Sequence, residues 1–142
     1  MGYIRKAKLS DTEMIYKLLV ALEQQEFNQE TYLDIYKQNL LNPAIFYLVY
    51  EEENEVLGFI SVHIQRLLHH ISSIAEIQEL IVDEKVRGQK IGGQLFEKAK
   101  HIARENGCTQ LEVCCNQKRK ESHKFYERQG MKNSHYKFCL EV

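Results

Sequence analysis

The chain has 142 residues, 44% of them hydrophobic and 27% charged, and 19 Lys and Arg against 20 Asp and Glu leave a formal net charge of −1. This is the composition of a soluble globular domain, large enough to bury one core without staples, so residues 1–142 are expected to form a single domain. No global basic field argues for nucleic acid or an anionic membrane surface, and no apolar run approaches a membrane span.

Four cysteines, Cys108, Cys114, Cys115 and Cys139, make no C-x-x-C pair. The opening MGYIRKAKLSDTE lacks the apolar core of a signal peptide, so reduced thiols and a cytoplasmic location are expected. Gly2 is followed by Lys6 where a myristoylation signal wants Ser or Thr, which sets lipidation aside.

YIRKAKL reads as a first strand with period-two alternation. Ser10 and Glu13 form an S-x-x-E capping-box pair that opens a helix to about Gln25, with Met14, Ile15, Leu18, Leu19 and Leu22 at helical spacing. A second helix covers Gln29 to Leu41 and stops at Asn42-Pro43. IFYLVY and VLGFISVHI are strands joined by the polar turn EEENE, and IAEIQELIV is a fourth strand. From Ile91 a helix carries Ile91, Leu95, Ala99, Ile102 and Ala103 on one stripe, with Gly107 as its C-cap. LEVCCN is a fifth strand, KESHKFYERQG a short helix and HYKFCLEV a closing strand. The order β-α-α-β-β-β-α-β-α-β puts three strands together before a helix crosses over. It implies an α/β fold with a mixed, mostly antiparallel sheet and helices on both faces. The closing strand has an edge that a second subunit can pair with, so a homodimer and a monomer are both compatible with the sequence.

VRGQKIGGQLFEKAK, Val86 to Lys100, follows a buried strand and enters a helix. Backbone N–H groups and the helix dipole make such a start an anion site, unless its glycines only ease a tight turn. It is neither G-x-x-x-x-G-K-[ST] nor G-x-G-x-x-G. VRGQKIG after ELIVDEK resembles the acyl-CoA signature [QR]-x-x-G-x-[GA] of the GCN5-related N-acetyltransferases (GNAT). HKFYERQGM resembles that family's late helix, which carries a tyrosine, and the element order matches along essentially the whole chain. Lys90 stands where the signature has its middle glycine. Lysine takes positive φ at a cost, so either the loop stays right-handed there or strain is tolerated, with the ammonium adding charge beside a phosphate.

The resemblance implies that Arg87, Gly88, Gln89, Lys90, Gly92 and Gly93 wrap the diphosphate of acetyl-CoA. Leu80, Ile81 and Val82 pair with its pantetheine arm, and Asn116 contacts the cofactor. Acetyl transfer to an amine needs a base, an oxyanion donor and a proton for the departing thiolate. The resemblance places Tyr126 as the acid and a backbone N–H near Ile81 or Val82 at the oxyanion. For the base the strand offers Glu76 and Glu79. Three residues apart, they lie on opposite faces of an ideal strand, and a bulge would turn both to one side. Glu79 is favoured as the nearer to the cofactor strand; Glu76 matches the position where some histone acetyltransferases keep their glutamate. Cys114 and Cys115, in an apolar strand, read as buried hydrophobes, with an acetyl-cysteine intermediate as the minority alternative.

LEQQEF, H-I-Q-x-x-L-H-H and EIQEL together resemble the bacterial aminoalkylphosphonate N-acetyltransferases. The resemblance implies a small amine substrate bearing a phosphonate, met by His63, Arg66, His69 and His70. It also allows a divalent metal near His63, His69, His70 or Glu79, although H-x5-H-H is no accepted zinc spacing. The alternatives are another acceptor, namely an aminoglycoside, a polyamine or a protein N-terminus, and a non-catalytic acyl-CoA-binding sensor. KRKESHK is too short and mixed in charge to be more than a solvated helix face.

Overall fold

The computed structural model describes all 142 residues and comprises two compact units, Met1–Glu112 and Val113–Val142. The first holds strands β1 (Tyr3–Lys6), β2 (Ile45–Glu52), β3 (Glu55–Leu67) and β4 (Ser72–Val82) with helices α1 (Thr12–Glu23), α2 (Gln29–Leu40) and α3 (Ile91–Glu105). Strand β5 (Cys108–Val113) runs to the boundary, and the second unit carries helix α4 (Lys120–Arg128). The strands form one sheet in the order β1-β2-β3-β4-β5, antiparallel from β1 to β4. No helix is long and apolar enough to cross a membrane.

The sheet is covered on both faces because its central strands are apolar at odd and even positions alike. On one face Val49, Phe59 and Ile81 pack with Ile15 and Leu18 of α1 and Tyr36 of α2. On the other, α3 buries Ile91, Leu95, Phe96 and Ala99. A Cβ on Gly58 would stand 3.1 Å from Leu95 Cδ1 and 3.4 Å from Ile91 Cγ2, so the missing side chain lets the first turns of α3 lie close on β3.

Three expectations are corrected. Ser10 does not cap α1: residues Leu9–Asp11 form a 3-10 turn and the helix starts at Thr12. Asp11 organises this entry, its Oδ2 accepting the Lys8 backbone N–H at 2.7 Å while Arg5 holds both carboxylate oxygens at 2.8 and 2.9 Å. Strand β5 comes three residues earlier than the apolar run LEVCCN suggests, because the chain turns at Gly107 (φ +70°) and enters the sheet at once. HYKFCLEV forms no strand. Its alternate residues Tyr136, Phe138, Leu140 and Val142 are all exposed, since alternation supplies a face while a strand also needs a neighbour's hydrogen bonds.

Arg5 also reaches Glu51 at 2.7 Å, so Asp11, one of only two buried polar residues, lies in a paired network. Arg5 chiefly, with the Lys8 backbone N–H also contributing, holds the Asp11 carboxyl below its ordinary range. A depressed carboxyl stabilises the fold above its unfolded value, about 3.9, and that contribution is lost as pH falls through the lower folded value. Asp11→Asn should cost about 3 kcal/mol at neutral pH, the low end for a broken buried pair because Arg5 keeps Glu51. Urea denaturation across pH should show the wild-type and variant stabilities converging in acid.

Candidate active site

The pairing of β3 with β4 slips by one residue: Ser61 faces Glu79, whereas Val62 faces Ile77 and His63 faces Glu76. Gln78 is the extra residue of a β-bulge. Cross-strand partners share a face, and Ser61 and His63, two apart, lie on the same one. Glu79 and Glu76 therefore both join it, which an unbroken strand would forbid. Tyr47 and Ile45 of β2, opposite Ser61 and His63, continue the two rows across this face.

Ser61 is fully buried. Its Oγ accepts the Glu79 backbone N–H at 3.0 Å and donates to Glu79 Oε1. Beside this carboxylate runs a ladder of rings: Tyr16–Tyr32, Tyr32–Tyr36, Tyr36–Tyr47 and Tyr47–Phe59, with centroids 5.1, 6.0, 5.4 and 5.4 Å apart. The Tyr32 hydroxyl donates to the Thr12 carbonyl at 2.8 Å, and the Tyr47 hydroxyl accepts from Asn39 Nδ2 at 2.6 Å. Burial raises the Tyr32 and Tyr47 phenols above their ordinary range, and the Glu79 charge pushes both the same way. The wall next to the carboxylate is thus aromatic, fixed and neutral.

The last residues of β4, Leu80, Ile81 and Val82, pair with Ile60, Phe59 and Gly58. Just past them the Asp83 N–H donates to the Leu57 carbonyl at 2.8 Å. Inward-bonded residues alternate in an antiparallel ladder, so Ile81 turns its N–H toward β3 while Leu80 and Val82 turn theirs to the opposite edge. Strand β5 does not reach that edge. It meets β4 at the start of both strands, where Ser72 Oγ and Thr109 Oγ1 lie 2.7 Å apart, and its six residues end before Leu80 on the eleven-residue β4.

The loop from Arg87 to Lys90 leads into α3. Gly88 sits at φ +86°, and Lys90 is left-handed at φ 65°, ψ 18°. Strain is therefore the outcome at the missing glycine, where a side chain costs roughly 1–2 kcal/mol. The N–H groups of Ile91, Gly92 and Gly93 are the orphan donors of the helix start. No acidic residue stands in that turn, and a Cβ on Gly88 or Gly93 would meet nothing within 4 Å. Arg87, Gln89 and Lys90 are exposed around it, with Arg87 Nε on the Val82 carbonyl at 3.3 Å. These residues fit a diphosphate: open backbone donors, a positive helix end and two cations.

In the second unit, Asn116 builds the turn before α4. Its Oδ1 accepts the Lys118 N–H at 2.9 Å and its carbonyl accepts the Arg119 N–H at 3.0 Å. Tyr126 lies on α4 against Phe125, with ring centroids 5.2 Å apart. Burial, followed by Cys115, raises its phenol to about 12 against the opposing pull of Arg119. Cys114 is exposed and Cys115 half-buried, both beyond β5, so the expectation of two buried strand thiols is corrected.

The histidine cluster is divided. His63 shares the carboxylate face, whereas Arg66, three residues on in an unbroken stretch of β3, leaves from the other face. His69 and His70 stand in the β3–β4 turn with ring centroids 4.3 Å apart. No three His, Cys, Asp or Glu side chains converge as a metal site, so these residues do not fit the divalent ion considered from the sequence. Ser61 and the tyrosine wall are what the sequence reading missed. The signals were present: one hydroxyl inside the apolar run VLGFISV, and tyrosines at 32 and 36, one helical turn apart.

Lys90→Gly should raise stability by up to about 1 kcal/mol, glycine's backbone entropy offsetting part of the relieved strain. A higher urea midpoint at unchanged slope is the expected reading.

Residues 12–131 match the acetyltransferase (GNAT) family. The chain is 42% identical over 135 residues to the aminoalkylphosphonate N-acetyltransferase of Salmonella typhimurium, covering 95% of this chain and 88% of the relative. It is 27% identical over 139 residues to the glucosamine 6-phosphate N-acetyltransferase of Candida albicans, covering 93% and 91%. Among solved structures, an aminoglycoside N-acetyltransferase in complex with CoA superposes with a TM-score of 0.90 at 14% identity, covering 100% of this chain and 95% of that one. The fold and these similarities together establish that the chain is an N-acetyltransferase and belongs to the GNAT family.

Proposed function

We propose that residues 1–142 act as one N-acetyltransferase domain that moves acetyl from acetyl-CoA to the amine of a small aminoalkylphosphonate, by direct attack in a ternary complex. The chemistry rests on one observation, the bulge that gathers Glu79, Glu76 and His63 on a single face. The acceptor class rests on the Salmonella relative. The Candida relative supports the same chemistry, since glucosamine 6-phosphate and an aminoalkylphosphonate are both amines that carry a phosphorus oxyanion.

Acetyl-CoA, when bound, supplies the activated thioester carbon. The start of α3 with Arg87 and Lys90 takes its diphosphate, and the outer edge of Leu80 and Val82 takes the amide-bearing arm. Asn116 is a further cofactor contact by resemblance. Glu79 removes the proton from the incoming ammonium, with Glu76 as the second carboxylate of the face. The Val82 N–H, turned outward, is the donor for the oxyanion, which refines the choice between Ile81 and Val82. His63 meets the phosphonate through its ring N–H on the carboxylate face; Arg66 leaves from the other face, and His69 and His70 lie in the β3–β4 turn. Tyr126 donates a proton to the thiolate, whose free pKa is about 8.5. Its pKa, raised to about 12, keeps the phenol protonated at neutral and moderately basic pH, so no loss of activity there stems from this tyrosine.

Release of CoA thiol from acetyl-CoA, followed on a panel of aminoalkylphosphonates, polyamines and aminoglycosides, tests the reading. Selective turnover of the phosphonates is expected, and equal rates across the panel would refute the acceptor. Tyr126→Phe and Glu79→Gln should each lower kcat about 100-fold with the acetyl-CoA KM little changed, the scale of one lost acid or base. Glu76→Gln should cost less. The reverse order would make Glu76 the base.

A further inference from the structure

We propose that Ser61 is the positioning residue for Glu79, holding Oε1 so that Oε2 alone is presented to the acceptor amine. This rests on the reading of Glu79 as the base. Ser61 sits in the most buried stretch of β3, where Phe59, Ile60 and Val62 are all at most 2% exposed and Ser61 itself is 0%. A hydroxyl there costs free energy unless its hydrogen bonds are met. An apolar residue of similar size would fill the space without that requirement.

Both bonds of the hydroxyl go to one residue. The bulge at Gln78 pushes the Glu79 N–H out of the regular ladder, and Ser61 Oγ accepts it at 3.0 Å. The same Oγ passes its own proton to Glu79 Oε1. The result is a closed ring from the Glu79 backbone through Ser61 to the Glu79 carboxylate, which locks the side chain to its own main chain. No other group bonds to the Glu79 carboxylate, so Oε2 is the oxygen with lone pairs to spare. Tyr32 and Tyr47 stand close enough for the Glu79 charge to act on both phenols. A base must stand within hydrogen-bond reach of the proton that it takes, and a freely turning glutamate on a bulged strand would spend only part of its time there.

The test is a double-mutant cycle on steady-state turnover, with acetyl-CoA and whichever acceptor of the panel turns over fastest, using Ser61→Ala, Glu79→Gln and the double variant. Ser61→Ala is expected to lower kcat roughly tenfold, a part of what the base itself contributes, with the acetyl-CoA KM within about twofold. In the Glu79→Gln background it is expected to add no further loss, because residues acting as one unit are non-additive. Wild-type kcat in Ser61→Ala overturns the proposal. So does a loss that multiplies with that of Glu79→Gln, which would mark a merely structural serine. Wild-type kcat in Glu79→Gln would instead overturn the assignment of the base, and this proposal with it. If Ser61→Ala does not fold by circular dichroism, Ser61→Cys, which keeps the volume but donates only weakly, carries the same comparison.

Discussion

The antiparallel ladder between β3 and β4 runs through ten residue pairs and absorbs a single extra residue, Gln78, along its length. Strand alternation is strict, so one inserted residue reverses which side every later side chain takes. Upstream of the bulge, Glu76 shares a face with His63. Downstream, Glu79 shares that same face with Ser61 while Leu80 and Val82 point their N–H groups outward. In a regular ladder with no bulge, their three-residue separation would put the two carboxylates on opposite faces of the sheet.

A polar group on an otherwise apolar face survives only if the fold meets its hydrogen bonds, and the first unit does so twice. Asp11 is carried inside by Arg5 and the Lys8 N–H, and the network fixes how the chain passes from β1 into α1. Ser61 is carried inside by Glu79. The first arrangement fixes the entry to α1, and the second ties the Glu79 carboxylate to its own main chain. Between them runs the tyrosine wall, whose hydroxyls are tied to the entry of α1 and to α2, so the packing that stabilises the helices also bounds the space beside Glu79.

The loop into α3 shows the opposite economy. Gly88 takes its positive φ at no steric cost, but Lys90 takes one that a lysine resists. Strained backbone gathers at functional sites because the surrounding packing holds it there. Here the packing is that of Ile91 and Leu95, seated over Gly58 directly after the loop. The lysine places an ammonium at the positive end of α3, where a glycine would place none.

Much of this was legible along the chain. The order of helices and strands up to α4 followed from periodicity, because a 3.6-residue or two-residue repeat is written locally. The glycine loop and the start of α3 after a buried strand followed for the same reason. The entry to α1 did not: Ser10 and Glu13 have the right spacing, yet Asp11 won through Arg5, a residue of the preceding strand. The four residues His63, Arg66, His69 and His70 look like one cluster in sequence, and the β3 pairing sends them to two faces and a turn. HYKFCLEV has a strand's alternation and no partner to complete it.

What the sequence determined by itself was therefore the run of elements from β1 to α4, the glycine loop before α3 and the two carboxylates worth considering, since each depends on neighbours within a few residues. Only the tertiary structure decided which side those carboxylates face, which serine holds one of them and which N–H groups look outward. Those properties belong to the register between strands, and register is counted from the partner strand.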